Sequence, residues 1–229
     1  EIRLSLVGSE MCIRDSFNSI LGIGRTVSGT ISYDGIDMTK ASRSQRARKI
    51  AYVPQNIQFG TLSVYDSIML GRLSYFGVRA AESDRRVVEN IIKEMKLEEL
   101  AVRSVSELSG GERQKIAIAR AMAQQPGLIV FDEPTGNLDP ANEELIILEA
   151  RKLAKQKNIS ILSSLHDRNQ ALYFGDKFFF LKDGKIKYAG SHNIVTKEVI
   201  KDIYDVDVKI ITVDDRKVVV KNPMMTRIS

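Results

Sequence analysis

The run from Gly127 to Pro134, GLIVFDEP, constrains this chain more than any other stretch. Four apolar residues in a row, closed by two acids, fit a strand buried on both faces. Asn158 to Asp167, NISILSSLHD, repeats the form: an apolar strand with polar residues at its end. A helical pattern from Glu143 to Lys157 joins the two. Strand, helix, strand over this span is a parallel crossover unit. The fold class is therefore α/β. Ligands on such sheets lie at the carboxyl ends of the strands. Gln55, Asp132, Glu133 and His166 all fall at such ends.

The remaining punctuation agrees. GTISYDGIDM (Gly29 to Met38) reads as strand, turn at Asp34-Gly35, and return. KIAYVPQ (Lys49 to Gln55) reads as a short strand stopped at Pro54-Gln55. Ser63 to Gln124 is helical in pattern. Val88, Ile91, Ile92 and Met95 share one helical face there, with Ser83 or Asp84 as the expected N-cap. DKFFFLKDGKIKYAG turns at Asp183-Gly184 as a hairpin. VKIITVDDRKVVVK, from Val208 to Lys221, reads as a second one.

With 229 residues, 43% hydrophobic and 28% charged, the chain is long enough for a real core. No apolar run approaches the ~18–20 residues of a spanning helix, and the first residues show no secretory pattern. The lone Cys12 has no internal disulfide partner. A cytoplasmic protein is expected. The first residue is Glu1 rather than Met, as in a fragment. The net charge of +5 admits two partner classes, nucleic acid or an anionic membrane surface. Scattered surface lysines explain it as well. The densest basic patch, Ser42 to Lys49, reads as the exposed face of a short helix.

Two stretches carry chemistry. Asp132 and Glu133 stand together where a strand ends. One acid there can hold Mg²⁺ while the other polarises a water. An acid pair in a solvated loop is the plain alternative. LSGGERQ (Leu108 to Gln114) places a hydroxyl and two glycines before a helix expected to start near Gly111. Free N–H groups and the helix dipole make an anion site there. Alone, this reads as no more than a capped helix.

Together the motifs say more. LSGGERQ, then LIVFDEPTGNLDP, then SLHD, with YVPQ upstream, resembles the ATP-binding-cassette (ABC) family of ATPases from Ser16 onward. The resemblance implies a P-loop NTPase-like (RecA-like) core with a mixed, largely parallel sheet and an inserted helical subdomain. By position it implies Gln55 as the sensor of Mg²⁺ and γ-phosphate. Ser109, Gly110 and Gly111 would contact the γ-phosphate of an ATP held by a partner copy. Asp132 would support Mg²⁺, and Glu133 would be the general base. Asp139 would signal across the dimer, and His166 would contact the γ-phosphate. His192 is left as surface. The cofactors implied are ATP and Mg²⁺.

The same resemblance divides the chain into an ATPase core over 16–60 and 125–203, a helical docking and signature subdomain over 61–124, and a hairpin extension over 204–229. The compact insert and single cassette favour a transporter subunit at the inner face of the cell membrane. It would work with permease subunits, a second ATPase copy (a homodimer) and, indirectly, a periplasmic or lipid-anchored solute-binding protein, not with nucleic acid. TLSVYDSIMLGRLSYFG (Thr61 to Gly77) is similar to the docking segment of importers of ferric siderophores, haem and cobalamin. A nucleic-acid-associated cassette is the outlying reading.

One part does not match. A phosphate loop reads G-x-x-x-x-G-K-S/T, and its Lys should fall near Ile13. The chain has LVGSEMCIRDS (Leu6 to Ser16), with no Lys and no second Gly. The aromatic residue on which adenine stacks is also missing. The stretch is similar to a translated sequencing-adaptor read. Residues 1–15 are therefore expected to be foreign, with the sheet short of central strand material and ATP binding defective. A natural degenerate cassette, acting as a passive structural partner, stays open.

Overall fold

The computed structural model describes residues 3–221 apart from Ser9, Arg25, Gly77, Val78, Asn137, His166 and Asp215. In chain order the elements are β1 (Arg3–Gly8), α1 (Glu10–Leu21), β2 (Ser32–Tyr33), β3 (Ile36–Asp37), α2 (Arg43–Lys49), β4 (Ile50–Val53), α3 (Val64–Met69) and α4 (Glu82–Glu94). Then come α5 (Gly110–Ala123), β5 (Leu128–Asp132), α6 (Pro140–Lys157), β6 (Ser160–Ser164), α7 (Arg168–Phe174), β7 (Lys177–Lys182), β8 (Lys185–Gly190), α8 (Lys197–Tyr204), β9 (Val208–Val213) and β10 (Arg216–Lys221). Among the described residues no helix is long and apolar enough to cross a membrane.

Six strands form one sheet in the order β4-β5-β6-β1-β7-β8. All neighbours run parallel except β7 and β8, which form the expected hairpin. The crossover from β5 through α6 to β6 is the unit read from the sequence. Both Asp-Gly turns have positive φ at both residues, 54° and 73° at Asp34-Gly35 and 52° and 73° at Asp183-Gly184. That is the pair of angles a tight two-residue hairpin needs.

The expectation of a sheet lacking its central strand is overturned. β1 lies between β6 and β7, with Leu6 opposite Ser164 on one side and Phe179 on the other. Its side chains alternate between two cores. Val7 joins Ile129, Phe131 and Ile161 on one face. Leu6 joins Val130, Leu162 and Leu181 on the other. α1 covers that second face with Ile13 and Phe17, four residues apart and both buried. The strand ends at a residue only glycine can supply. A Cβ at Gly8 would lie 2.1 Å from the Leu181 carbonyl oxygen.

The helical segment is locked by one buried ion pair. Arg72 and Asp84 meet at 2.9 Å, with side chains 6% and 5% exposed. Arg72 also donates to the Ala123 backbone carbonyl (2.8 Å) and to Gln125 Oε1 (2.9 Å) and stacks 3.7 Å over the Tyr75 ring. Gly71 faces the Arg120 carbonyl so closely that a Cβ would sit 2.2 Å from it. The Gly-Arg pair of the docking-like stretch is thus a packing device. The N-cap of α4 is Ala81, not Ser83 or Asp84. Asp84, inside the first turn, accepts the Ala81 N–H at 3.0 Å while pairing with Arg72. The basic patch forms α2, a helix with no buried residue, as expected.

Candidate functional site

Asp132 closes β5, and strand register puts Ser164 directly beside it. The Ser164 hydroxyl donates to Asp132 Oδ1 at 3.0 Å and accepts the Glu133 N–H at 2.9 Å. On the other side the Tyr52 hydroxyl, on β4, donates to Oδ2 at 3.0 Å. Asp132 is 7% exposed. A carboxylate taken out of water needs such donors. Burial, then the Asp132 charge, pushes the Tyr52 phenol up to about 12. It therefore stays a donor throughout the neutral range.

Glu133 turns out of the strand with φ 47°, in the left-handed region. This bend separates the two acids: Asp132 stays in the strand, and Glu133 leans to the next segment. There Gln55, two residues beyond β4, donates its side-chain amide to Glu133 Oε2 at 2.6 Å. Gln55, Asp132 and Glu133 thus meet at one place. Asp132 and Glu133 line a cavity of about 210 Å³ with Gly8, Arg14, Ser164 and Arg168. That is below the roughly 300–1,000 Å³ of an enclosed ligand pocket. A nucleotide would lie across this face, not inside it.

The donors fit a hard cation. A carboxylate offers about four lone-pair sites, and two of Asp132's are used by the hydroxyls. The residues before α1 do not fit a phosphate cradle. α1 begins at Glu10, so only Ser9 separates it from Gly8, and helix fills the place of an open loop. Arg14, one residue past the expected Lys position, stands on the wall of the cavity, as does Arg168.

Ser109, Gly110 and Gly111 form a second cluster outside this cavity. Ser109 caps α5, and its hydroxyl and N–H both donate to Glu112 Oε2, at 2.7 and 2.9 Å. In the single chain that hydroxyl serves the capping box. A Cβ on Gly110 would touch Leu138, and one on Gly111 would strike Asn142. Asp139 caps α6 by accepting the Asn142 N–H (3.0 Å) and side-chain amide (2.6 Å). The Asn142 N–H, then that amide, hold the Asp139 carboxyl below its usual range. So Asp139 and Gly111 share a neighbour, Asn142. His166 lies outside the described residues. His192 is exposed, as read, with Nε2 3.0 Å from the Leu172 carbonyl oxygen. Tyr52, Ser164 and Arg14 were not found by sequence reasoning. The two serines closing an otherwise apolar strand were the signal for Ser164.

A mixed α/β sheet with an acid pair at a strand end, and a serine-capped Gly-Gly helix in an inserted helical segment, is the architecture of an ABC ATPase. The sequence profile described as ABC transporter matches residues 16–136. An uncharacterized ABC transporter ATP-binding protein of Methanocaldococcus jannaschii is 38% identical over 192 residues, covering 84% of this chain and 76% of its own length. The iron(3+)-hydroxamate import ATP-binding protein of Bacillus subtilis is 31% identical, covering 91% and 79%. A phosphonates import ATP-binding protein of Halalkalibacterium halodurans is 32% identical, covering 88% and 87%. Among solved structures, a metal-chelate type ABC transporter in an inward-facing conformation superposes with TM-score 0.82 at 26% identity, covering 98% and 87%. A dimeric cassette in a post-hydrolysis state bound to ADP and Pi superposes at 0.69 and 28%, covering 83% and 85%. The chain belongs to the ABC transporter family.

Proposed function

We propose that this chain is the ATP-hydrolysing subunit of an importer of metal chelates, of the iron-siderophore, haem or cobalamin kind. The observation that carries the ATPase reading is the Asp132-Glu133 pair, one acid held inside the sheet and the other turned out towards Gln55. The importer reading rests on the likeness to the hydroxamate importer subunit and the metal-chelate transporter. The phosphonate relative, at similar identity, keeps the chelate itself a proposal.

In this reading Asp132, fixed by Tyr52 and Ser164, supports Mg²⁺ with Gln55 alongside. The ion would neutralise phosphate charge when bound. Glu133 accepts the proton of the attacking water, and the Gln55 amide holds its carboxylate in place. His166 contacts the γ-phosphate. Ser109, Gly110 and Gly111 turn their N–H groups to an ATP held by a second copy, which requires Ser109 to release Glu112. Asp139 reports across that dimer through Asn142. Permease subunits dock on the helical subdomain, placing the protein on the inner face of the membrane.

Residues 1–15 stand apart. Among the described residues Gly8 and a helix from Glu10 supply no wrap of N–H groups, and Arg14 is the one cation this segment brings to the cavity. We infer that this chain grips ATP poorly, and that the segment is foreign to the gene. Its place in the sheet would then be that of any apolar strand of suitable length. A passive partner subunit is the second reading, favoured by the same missing loop.

The test compares this chain with one whose residues 7–14 are replaced by a G-x-x-x-x-G-K-S/T loop. The restored chain is expected to hydrolyse ATP with Mg²⁺, and Glu133→Gln to abolish it. No turnover by a folded restored chain would refute the ATPase reading. Turnover by the unaltered chain, lost on Glu133→Gln, would refute the loop reading. Sequencing genomic DNA across the 5′ end of the gene decides between an artefact and a natural degenerate cassette.

A further inference from the structure

A cavity of about 710 Å³ opens at the other end of the sheet. It lies where β1 begins and Asp132 is far along its strand. Its walls come from the start of β1, from α6 and α7, and from the β9–β10 hairpin. Among the described residues four cationic side chains line it, Arg3, Arg151, Arg216 and Lys217, against two carboxylates, Asp176 and Asp214. The charges are not evenly matched. Arg3 is paired with Asp176. Lys217 donates to the carbonyls of His192 (2.8 Å) and Val195 (3.0 Å). Among the described residues Arg151 and Arg216 have no carboxylate in ion-pair range.

The two arginines are held in place. Their guanidinium carbons lie 4.0 and 4.9 Å from the centroid of one ring, Tyr173. They are therefore no farther apart than those two distances combined, within the span of one small molecule. Stacking on an aromatic face fixes a guanidinium without using its outward donors. Arg151 Nη2 donates to the Tyr173 carbonyl. Arg151 Nε and Arg3 Nη1 are buried with no hydrogen-bond partner among the described residues. Buried donors of this kind are rare in folded proteins. Burial, then the charge of Arg3, weighs on the Arg151 guanidinium, and Arg216 adds to it. Tyr173 and the Asp176 carboxylate offset part of that repulsion, and an anion between the guanidiniums would offset more.

We propose that this cavity binds a small oxyanion carrying two or more negative charges, clamped between Arg151 and Arg216. Planar guanidinium forks match carboxylate and phosphate oxygens two at a time. Arg151, Arg216 and Lys217 lie outside residues 1–15, so the clamp does not depend on the origin of that segment. The bound anion would join the hairpin to α6 and α7. At present the hairpin's edge is held to α7 by Asn169, which exchanges hydrogen bonds with the Val219 backbone at 3.1 and 2.8 Å.

The test is calorimetry on the full chain with two probes, inorganic phosphate and citrate, at constant ionic strength in chloride. At least one probe is expected to bind saturably and to slow amide exchange in β9–β10. Tighter phosphate marks an inorganic ligand, and tighter citrate an organic one. Arg216→Gln, on the exposed hairpin, and Arg151→Gln should each weaken binding roughly tenfold or more. Arg14→Gln should leave it intact, which separates this site from the cavity at Asp132. Two results overturn the proposal. One is no saturable binding of either probe. The other is binding that survives in a folded Arg216→Gln chain or is lost with Arg14→Gln.

Discussion

Removing the Asp84 carboxylate should destabilise the chain more than most single changes. Asp84 is the only carboxylate on Arg72 among the described residues, and both side chains are nearly buried. Without it the guanidinium keeps its neutral acceptors, the Ala123 carbonyl and Gln125, and its stack on Tyr75. Its charge would then be unpaired out of water. Breaking a buried pair on one side costs about 3–5 kcal/mol. Total stability is about 5–15 kcal/mol, so this is a large share. At about 2–4 °C per kcal/mol for a chain of this size, Asp84→Ala should lower Tm by roughly 6–20 °C. Thermal unfolding followed by circular dichroism reads it. Asp84→Asn keeps an acceptor for the Ala81 N–H and isolates the charge from the cap. The double change Arg72→Met with Asp84→Leu should recover most of the loss, because an apolar pair needs no desolvated charge. A cost for Asp84→Ala below about 1 kcal/mol, or a double variant no better than the single, would refute the argument.

Gly8→Ala should cost about 2–3 kcal/mol, since its Cβ meets the Leu181 carbonyl rather than a side chain able to move. Gly60→Ala, with φ 62° but open space around it, should cost only about 1 kcal/mol, and urea midpoints compare the two. Asp202 predicts a pH effect. Hydrogen bonds from Lys187, then from Tyr188, lower its carboxyl from 3.8 to about 2. A depressed carboxyl stabilises the fold above its unfolded value and loses that contribution as pH falls through the folded one. The urea-midpoint gap between this chain and Asp202→Asn should be constant above pH 4 and close towards pH 2. A gap that persists at pH 2 would contradict the assignment.

What the sequence revealed depended on how local its cause was. The β5–α6–β6 unit was legible because its apolar runs and joining helix are contiguous. The Asp-Gly turns and the Ser109 cap were legible because each is set within three or four residues. The site at Asp132 was half legible. Its acids announce themselves at the end of an apolar run. Tyr52 and Ser164 are brought to them by register between strands 80 and 32 residues away. The α4 cap was misplaced because Asp84 is drawn by Arg72, a tertiary partner. The central place of β1 was missed for the same kind of reason. Its neighbours, β6 and β7, lie more than 150 residues downstream, and no local pattern in Leu4 to Gly8 says which strands will flank it.

α7 is seven residues long, about 10 Å end to end. Its first residue, Arg168, stands on the wall of the cavity at Asp132 and Glu133. Leu172 and Tyr173, at its far end, stand on the wall of the arginine-lined cavity. Between them Gln170 is bolted to the segment after Glu133, accepting from Thr135 at 2.9 Å and donating to Glu143 at 2.7 Å. The two cavities therefore share one wall, a single short helix that Gln170 ties to the chain beyond Glu133.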